Sequence, residues 1–524
     1  MTCLVIQMEN NETNKSSQGD GAIERSVIRQ TRKCASVIHD GVHVISISIG
    51  GAPSVFYNDD LAVAAYSAIQ KGIFVSCAAG NSGPSRTSLS NEAPWILTVG
   101  ASTIDRRFRT SVVLGNKKIF HGESLYQPKD ADHKLRPLIY PVKEGEDSAL
   151  CEPESLNHID VKGKAVLCDV GGLSSHEKGE VVKKAGGAAM VIANSILLGE
   201  TTAAGAHVIL ASYVGYKEGV EIKKYLNSTT SPVATIVCHG TAVGLKSDPE
   251  MVFFSSRGPS YASPGILKPD ITGPGLNILA AWHESIDHKK GTKAISYNVI
   301  SGTSMSCPHL AGVAALLKSA HPEWSPAAIK SAIMTTASHV NRNGSAIVDE
   351  RGLPADVLTT GAGHVYPQKA LEPGLVFDIQ PNDYIPYLCG LGYPPKQIQI
   401  IVKKNVTCSK IIHEGQLNYP SFTVSLKRGE RRVFTRTVTN VGLAYSRYAM
   451  KEVSVPKGVS VNVVVDNNED VLSFNSVQQT RTYEVTFTRD DEHEMKRRYG
   501  QGYMTWVSDG GKCAVKTPFS FKFE

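Results

Sequence analysis

The sequence predicts an α/β protein built on a parallel sheet, interrupted by a compact insert and followed by a small β-sandwich. Two apolar, β-branched runs, Val42 to Ile49 (VHVISISI) and Gly72 to Ala79 (GIFVSCAA), each end at glycine, and a helical pattern separates them. A similar pattern resumes in PDITGPGLNILAAW and ISGTSMSCPHLAGVAALLK, after a stretch of different character. From about Thr407 short alternating strands with turns take over, as in an antiparallel sandwich. A chain of 524 residues has room for about three domains at roughly 100 to 200 residues each.

Taken in order, Cys3 to Gln7 (CLVIQ) reads as an apolar strand and the stretch near Ala22 to Ile38 as a helix. LAVAAYSAIQKG is a second helix, closed by Gly72, and WILTVGA (Trp95 to Ala101) a further strand. Strands apolar throughout and alternating with helices imply a parallel sheet covered on both faces. From Phe120 to Lys246 short strands around small helices suggest an insert with its own core; in it, Lys178 to Lys184 reads as a solvated helix face. The expected division is 1–119 and 247–406 for the two parts of the α/β domain, 120–246 for the insert and 414–524 for the sandwich.

Composition excludes several functions. Hydrophobic residues are 41% and charged residues 20%, a globular balance, and the net charge of +6 is spread without a basic block, so nucleic acid is not an expected partner. No run approaches the ~20 apolar residues of a membrane span, and the N-terminal residues read as neither anchor nor signal peptide. The 10 cysteines show no metal spacing, and neither metal nor cofactor is expected. Cys151 with Cys168, and Cys389 with Cys408, are spaced for short-loop disulfides, while Cys77 and Cys307 read as buried packing residues. Glycosylation tripeptides begin at Asn11, Asn14, Asn227, Asn343 and Asn405, a mild pointer to secretion.

Two segments carry chemistry. In Ser301 to His309 (SGTSMSCPH), Gly302 permits a tight turn and Pro308 suits a first helical turn. Ser304 would then lie at a helix N-terminus, where free N–H groups and the dipole stabilise developing negative charge, as a nucleophile requires. In Ala78 to Pro84 (AAGNSGP), Asn81 follows a buried strand, and its amide can donate into a site at the sheet's carboxyl edge. Alone, the first reads as an ordinary helix cap and the second as a turn; together in one sheet they read as a nucleophile and an oxyanion donor.

These segments, with VISISIGG, FSSRGPS and KPDITGPGLNILAAW, resemble the subtilisin-like serine proteases, and among them the cucumisin-like subtilases of plants. The resemblance implies a subtilisin-like fold, a protease-associated insert and a fibronectin type III-like sandwich. It makes Ser304 the nucleophile of an endopeptidase and Asn81 the oxyanion-hole side chain, with Ser48, Ile49 and Gly50 an edge that pairs with extended substrate. Protein or peptide substrates and an extracellular setting, apoplast or cell wall, follow from the same resemblance.

The family's Asp-[Ser/Thr]-Gly and His-Gly-Thr-His patterns do not occur in the sequence. His239-Gly240-Thr241 is broken by Ala242, and His309 stands five residues after Ser304, about 140° around a helix and facing away. The expectation is therefore that the segments bearing the family Asp and His, with any signal peptide and propeptide, lie upstream of Met1, and that the chain alone is inactive. The competing reading is a non-catalytic protein that holds a partner in the same groove. An α/β-hydrolase is disfavoured because Ser306 stands where the second glycine of a G-x-S-x-G elbow belongs. Gly273, where the family pattern usually has Ala, is expected to loosen a turn beside the site.

Overall fold

The computed structural model describes residues 3–6, 37–38, 40–282, 296–466, 470–492, 494–495 and 497–524. Five strands form one parallel sheet: Cys3–Ile6 (β1), Val44–Ile47 (β2), Phe74–Ala78 (β3), Leu97–Ser102 (β4) and Ile271–Pro274 (β12), in the order β1-β2-β3-β4-β12. Strands β2, β3 and β4 are buried along their whole length, which is why their sequences are apolar or small at every position. β2 is shorter than the apolar run around it, so Ser48 to Gly50 continue past the sheet. The helix expected near 22–38 lies outside the described residues except for Val37 and Ile38.

Helix α1 (Asp60–Ile69) starts at Asp59, whose carboxylate accepts from the N–H groups of Leu61 at 2.9 Å and Ala62 at 3.1 Å. It ends where Gly72 takes φ +74°, and its inner face buries Leu61, Ala65, Tyr66 and Ile69. Helix α4 (Thr303–Ala320) crosses the sheet with Cys307, Leu310, Ala311, Ala314 and Leu317 buried, and α5 (Pro326–Thr335) is capped by Ser325. Gly273 lies within β12 and not in a turn: a Cβ there would come 2.4 Å from Leu310 Cδ2, so its size governs how closely α4 approaches the strand.

The insert is a closed barrel of Arg106–Leu114 (β5), Ile119–Glu123 (β6), Arg136–Ile139 (β7), Ala165–Asp169 (β8), Ala189–Ala193 (β9), Leu210–Val214 (β10) and Val233–Val243 (β11), with helices α2 (Ser175–Lys184) and α3 (Tyr216–Ser228). It begins before the boundary expected at 120, because β5 pairs along β11 from Arg106↔Val243 to Leu114↔Ala234. No glycine or proline separates β4 from β5, so the sequence offered no break there. Lys178 is not solvated: it is 1% exposed, with its ammonium on the Leu150 carbonyl, and burial pushes its pKa down. The Cys151–Cys168 and Cys389–Cys408 disulfides are both formed.

Ile278–Trp282 (β13) and Ser296–Ile300 (β14) pair antiparallel ahead of α4. Two sheets, Leu375–Val376 (β15) with Arg431–Asn440 (β17), Thr480–Arg489 (β21) and Val459–Val465 (β19), and Phe422–Leu426 (β16) with Ala514–Phe523 (β23), Tyr499–Ser508 (β22), Ser446–Ser454 (β18) and Val471–Phe474 (β20), make the C-terminal sandwich. β15 lies well before the expected start at 414, and Leu375 and Phe377 join the sandwich core with Phe422, Phe487, Trp506 and Phe519. A two-residue strand carries no readable alternation, which hid it from the sequence.

Candidate active site

Ser304 is the second residue of α4, at an N-terminus whose cap residue, Gly302, has no side chain to cap it. In this first turn the Ser304 N–H has no carbonyl four residues back within the helix to meet. The hydroxyl donates to the Ser48 carbonyl at 3.2 Å, and Ser48 Oγ returns a bond to the Ser304 carbonyl at 2.7 Å. Thus the end of β2 and the start of α4 are tied to one another across 256 positions of sequence.

Asn81 follows β3 and is oriented by Thr303. The Thr303 N–H and hydroxyl both donate to Asn81 Oδ1 at 2.9 Å, and Thr303 Oγ1 accepts from the Gly80 N–H at 3.2 Å. With its oxygen engaged by Thr303, the amide turns its Nδ2 donor end the other way, 3.5 Å from where a Cβ on Gly302 would stand. A cleft of about 510 Å³ opens over these groups, lined by Ser48 to Pro53, Gly80, Asn81, Ser82, Ser88, Ser90, Thr303 and Ser304. None of these residues is charged. The structure therefore brings Ser48, Ile49, Gly50, Asn81 and Ser304 to one cleft at the carboxyl ends of β2 and β3.

Among the described residues no imidazole is hydrogen-bonded to Ser304. His309 turns back on its own helix, Nδ1 lying 2.7 Å from the Met305 carbonyl. His239 sits in the barrel with Nε2 2.8 Å from Ser111 Oγ. Cys307, beneath Ser304, is fully buried among Ser46, Ser76 and the Ile47 carbonyl, and burial raises its thiol pKa, so it packs and does not react. Sequence reasoning missed two contributors: Thr303, which sets the Asn81 amide, and Asn91, whose amide reaches the carbonyls behind the cleft. Asn91 carried one readable signal, a polar pair with Glu92 just before the apolar Ala93-Pro94-Trp95 run, and a turn explained it equally well.

Residues 2–358 match the subtilase family, a peptidase family, and residues 416–521 match a fibronectin type-III domain. The chain belongs to the subtilase family. Its fold is accordingly subtilisin-like, a parallel sheet followed by a fibronectin type III domain. Relatives of this subtilase include the subtilisin-like proteases SBT1.2 and SBT1.7 of Arabidopsis thaliana, each 45% identical, over 92% and 93% of this chain and 63% and 64% of theirs. SBT1.6 of the same plant is 44% identical over 92% of this chain and 64% of its own. The chain thus spans a little under two thirds of the length of these curated relatives.

Proposed function

We propose that this subtilase is a serine endopeptidase site acting on protein or peptide substrates through an acyl-enzyme on Ser304. The observation that supports the reading is the convergence of Ser304, at a helix N-terminus, with an Asn81 amide whose oxygen is already engaged by Thr303. Ser304 Oγ attacks the scissile carbonyl, and the Asn81 Nδ2 and Ser304 N–H donate to the oxyanion that forms. Ser48, Ile49 and Gly50, extended beyond the end of β2, pair with the substrate backbone. Among the described residues no imidazole bonds the Ser304 hydroxyl, and the reading requires a histidine and an orienting carboxylate in addition to the residues seen at the cleft.

The barrel serves as a protease-associated insert in this reading. Two disulfides, and exposed Asn227, Asn343 and Asn405 in glycosylation tripeptides, favour an oxidising, extracellular setting; Asn11 and Asn14 lie outside the described residues.

A fluorophosphonate probe tests the assignment. The 524-residue polypeptide is expected to stay unlabelled, whereas a polypeptide that also carries the family Asp and His segments should label and lose all labelling in Ser304→Ala. Losing the base of a triad costs on the order of 10⁶ in kcat, a figure that comes from a subtilisin itself. Labelling that survives Ser304→Ala would refute the nucleophile, and robust labelling of the 524-residue polypeptide would refute the account of the base.

A further inference from the structure

Asn91 is buried, holds φ +58°, and spends both amide protons on the backbone of the cleft: Nδ2 donates to the Ile49 carbonyl at 2.7 Å and to the Ala78 carbonyl at 2.8 Å. Ile49 belongs to the edge assigned to substrate, and Ala78 ends β3 just before Gly80 and Asn81. The two walls of the cleft are therefore joined by one side chain. An amide is the group for this, because an NH₂ carries two donors and a carboxylate of the same shape carries none.

Asn91 is itself braced. Its backbone carbonyl accepts from Thr98 Oγ1 at 2.7 Å, and the same hydroxyl accepts from Lys268 Nζ at 2.8 Å. Lys268 pairs with Asp270 Oδ2 at 2.7 Å, and the Thr98 N–H donates to that oxygen, also at 2.7 Å. Asp270 Oδ1 takes the Tyr419 hydroxyl, and the Tyr419 carbonyl takes the sandwich guanidinium of Arg436 at 2.9 Å. Lys268 and Asp270 have side chains with no exposure at all, and Thr98, Tyr419 and Arg436 are buried too, so each bond is one that water cannot replace.

We infer that Asn91 is a positioning residue that sets the spacing between the substrate-pairing edge and the oxyanion loop, and that Tyr419, on the segment leading into the sandwich, braces it through Asp270, Lys268 and Thr98. The inference rests on the peptidase reading of the cleft and adds a residue that touches no substrate. Tyr419→Phe removes the hydroxyl and keeps the ring. Tyr66→Phe is the control, since Tyr66 donates to the Pro381 carbonyl in the same core and lies outside the chain of bonds.

Hydrogen exchange on the 524-residue polypeptide reads the clamp directly. Asn91→Ala and Asn91→Asp should speed exchange across residues 48–51 and 79–81 by at least about tenfold, because both Nδ2 bonds are lost and each is worth roughly a few-fold, and Tyr419→Phe by a smaller factor, with barrel and sandwich amides unchanged. Tyr66→Phe should leave the cleft amides at wild-type rates. Binding of a dye-labelled peptide in the Ser304→Ala background should weaken by at least about fivefold in the Asn91 variants, which lose both bonds that hold the edge. Unchanged cleft exchange in the Asn91 variants, or equal effects of Tyr66→Phe and Tyr419→Phe, would overturn the inference. Wild-type protein that binds no peptide would overturn the peptidase reading instead, and the exchange rates would still decide the clamp.

Discussion

Asn81 is exposed, and its amide is nevertheless held in one orientation because Thr303 donates to Oδ1 twice. On the proposed peptidase reading, Asn81→Ala, tested in a polypeptide that also carries the family Asp and His segments, is expected to lower kcat by about 10² to 10³ with little change in KM, the range measured for such a donor in a subtilisin. Thr303→Val removes only the orienting hydroxyl, so a fraction of that loss should appear, and steady-state kinetics on the pair would show whether orientation matters. Gly50→Ala belongs beside them: its Cβ would come 2.6 Å from Ser90 Oγ, forcing the edge outward, and peptide affinity should fall. Lys330 gives a pH signature. Burial pushes its pKa down to about 7, while the unfolded chain keeps the ordinary value near ~10.4. Between those values the unfolded state holds a proton that the folded state has released, so stability rises with pH over that window and the cost is fully present below it. Lys330→Met lacks the group, and the Tm of wild type should gain on the variant from pH ~7 to ~10; parallel curves would refute this.

At the scale of elements, local chemistry explains most starts and stops. Asp59→Ala should cost about 1 kcal/mol, the usual worth of an N-cap, measured as a shift of the urea midpoint. The Cys389–Cys408 bridge, 19 positions apart, ties the helix Tyr384–Gly390 to the loop after Pro395–Val402. Replacing both cysteines by serine is expected to destabilise by about 3 kcal/mol on the chain-entropy account. Strands were legible where they are buried on both faces, as in β2 to β4, because every residue then has to be apolar or small. They were not legible where pairing crosses a long interval: β5 finds β11 more than a hundred positions later, and nothing in RRFRTSVVL says so. Lys178 looked solvated for the same reason, since its acceptor, the Leu150 carbonyl, is 28 positions away.

For the whole molecule, the chain enters and leaves the barrel at one place, although side chains bridge the barrel to the sheet domain elsewhere. Arg106 pairs with Val243, and the Gly244 N–H donates to the Asp105 carbonyl at 2.8 Å, so the chain leaves the barrel where it came in. Excising residues 106–243 and joining the ends through two or three glycines should leave the parallel sheet folded. Stability should drop, because Glu123 no longer accepts from Asn277 Nδ2 and Arg107 no longer reaches Asp248. Circular dichroism with limited proteolysis would check this, and a shortened chain without cooperative unfolding would refute it. The sandwich is joined differently, through β15 and through Arg436 and Tyr419, and should not be separable in that way.

The α/β class, the nucleophile-bearing helix start, the amide after β3 and the two disulfide pairs as possibilities were legible in the linear chain, because each depends on residues close together in it. Ser304, Asn81 and the edge Ser48 to Gly50 were readable as separate motifs for that reason. That they share a cleft, that Thr303 aims Asn81, and that Asn91 clasps the Ile49 and Ala78 carbonyls became visible with the chain folded. Those are single hydrogen bonds between distant segments, and a hydrogen bond leaves no periodicity in sequence: an asparagine holding two strands together is written with the same letter as one in a turn.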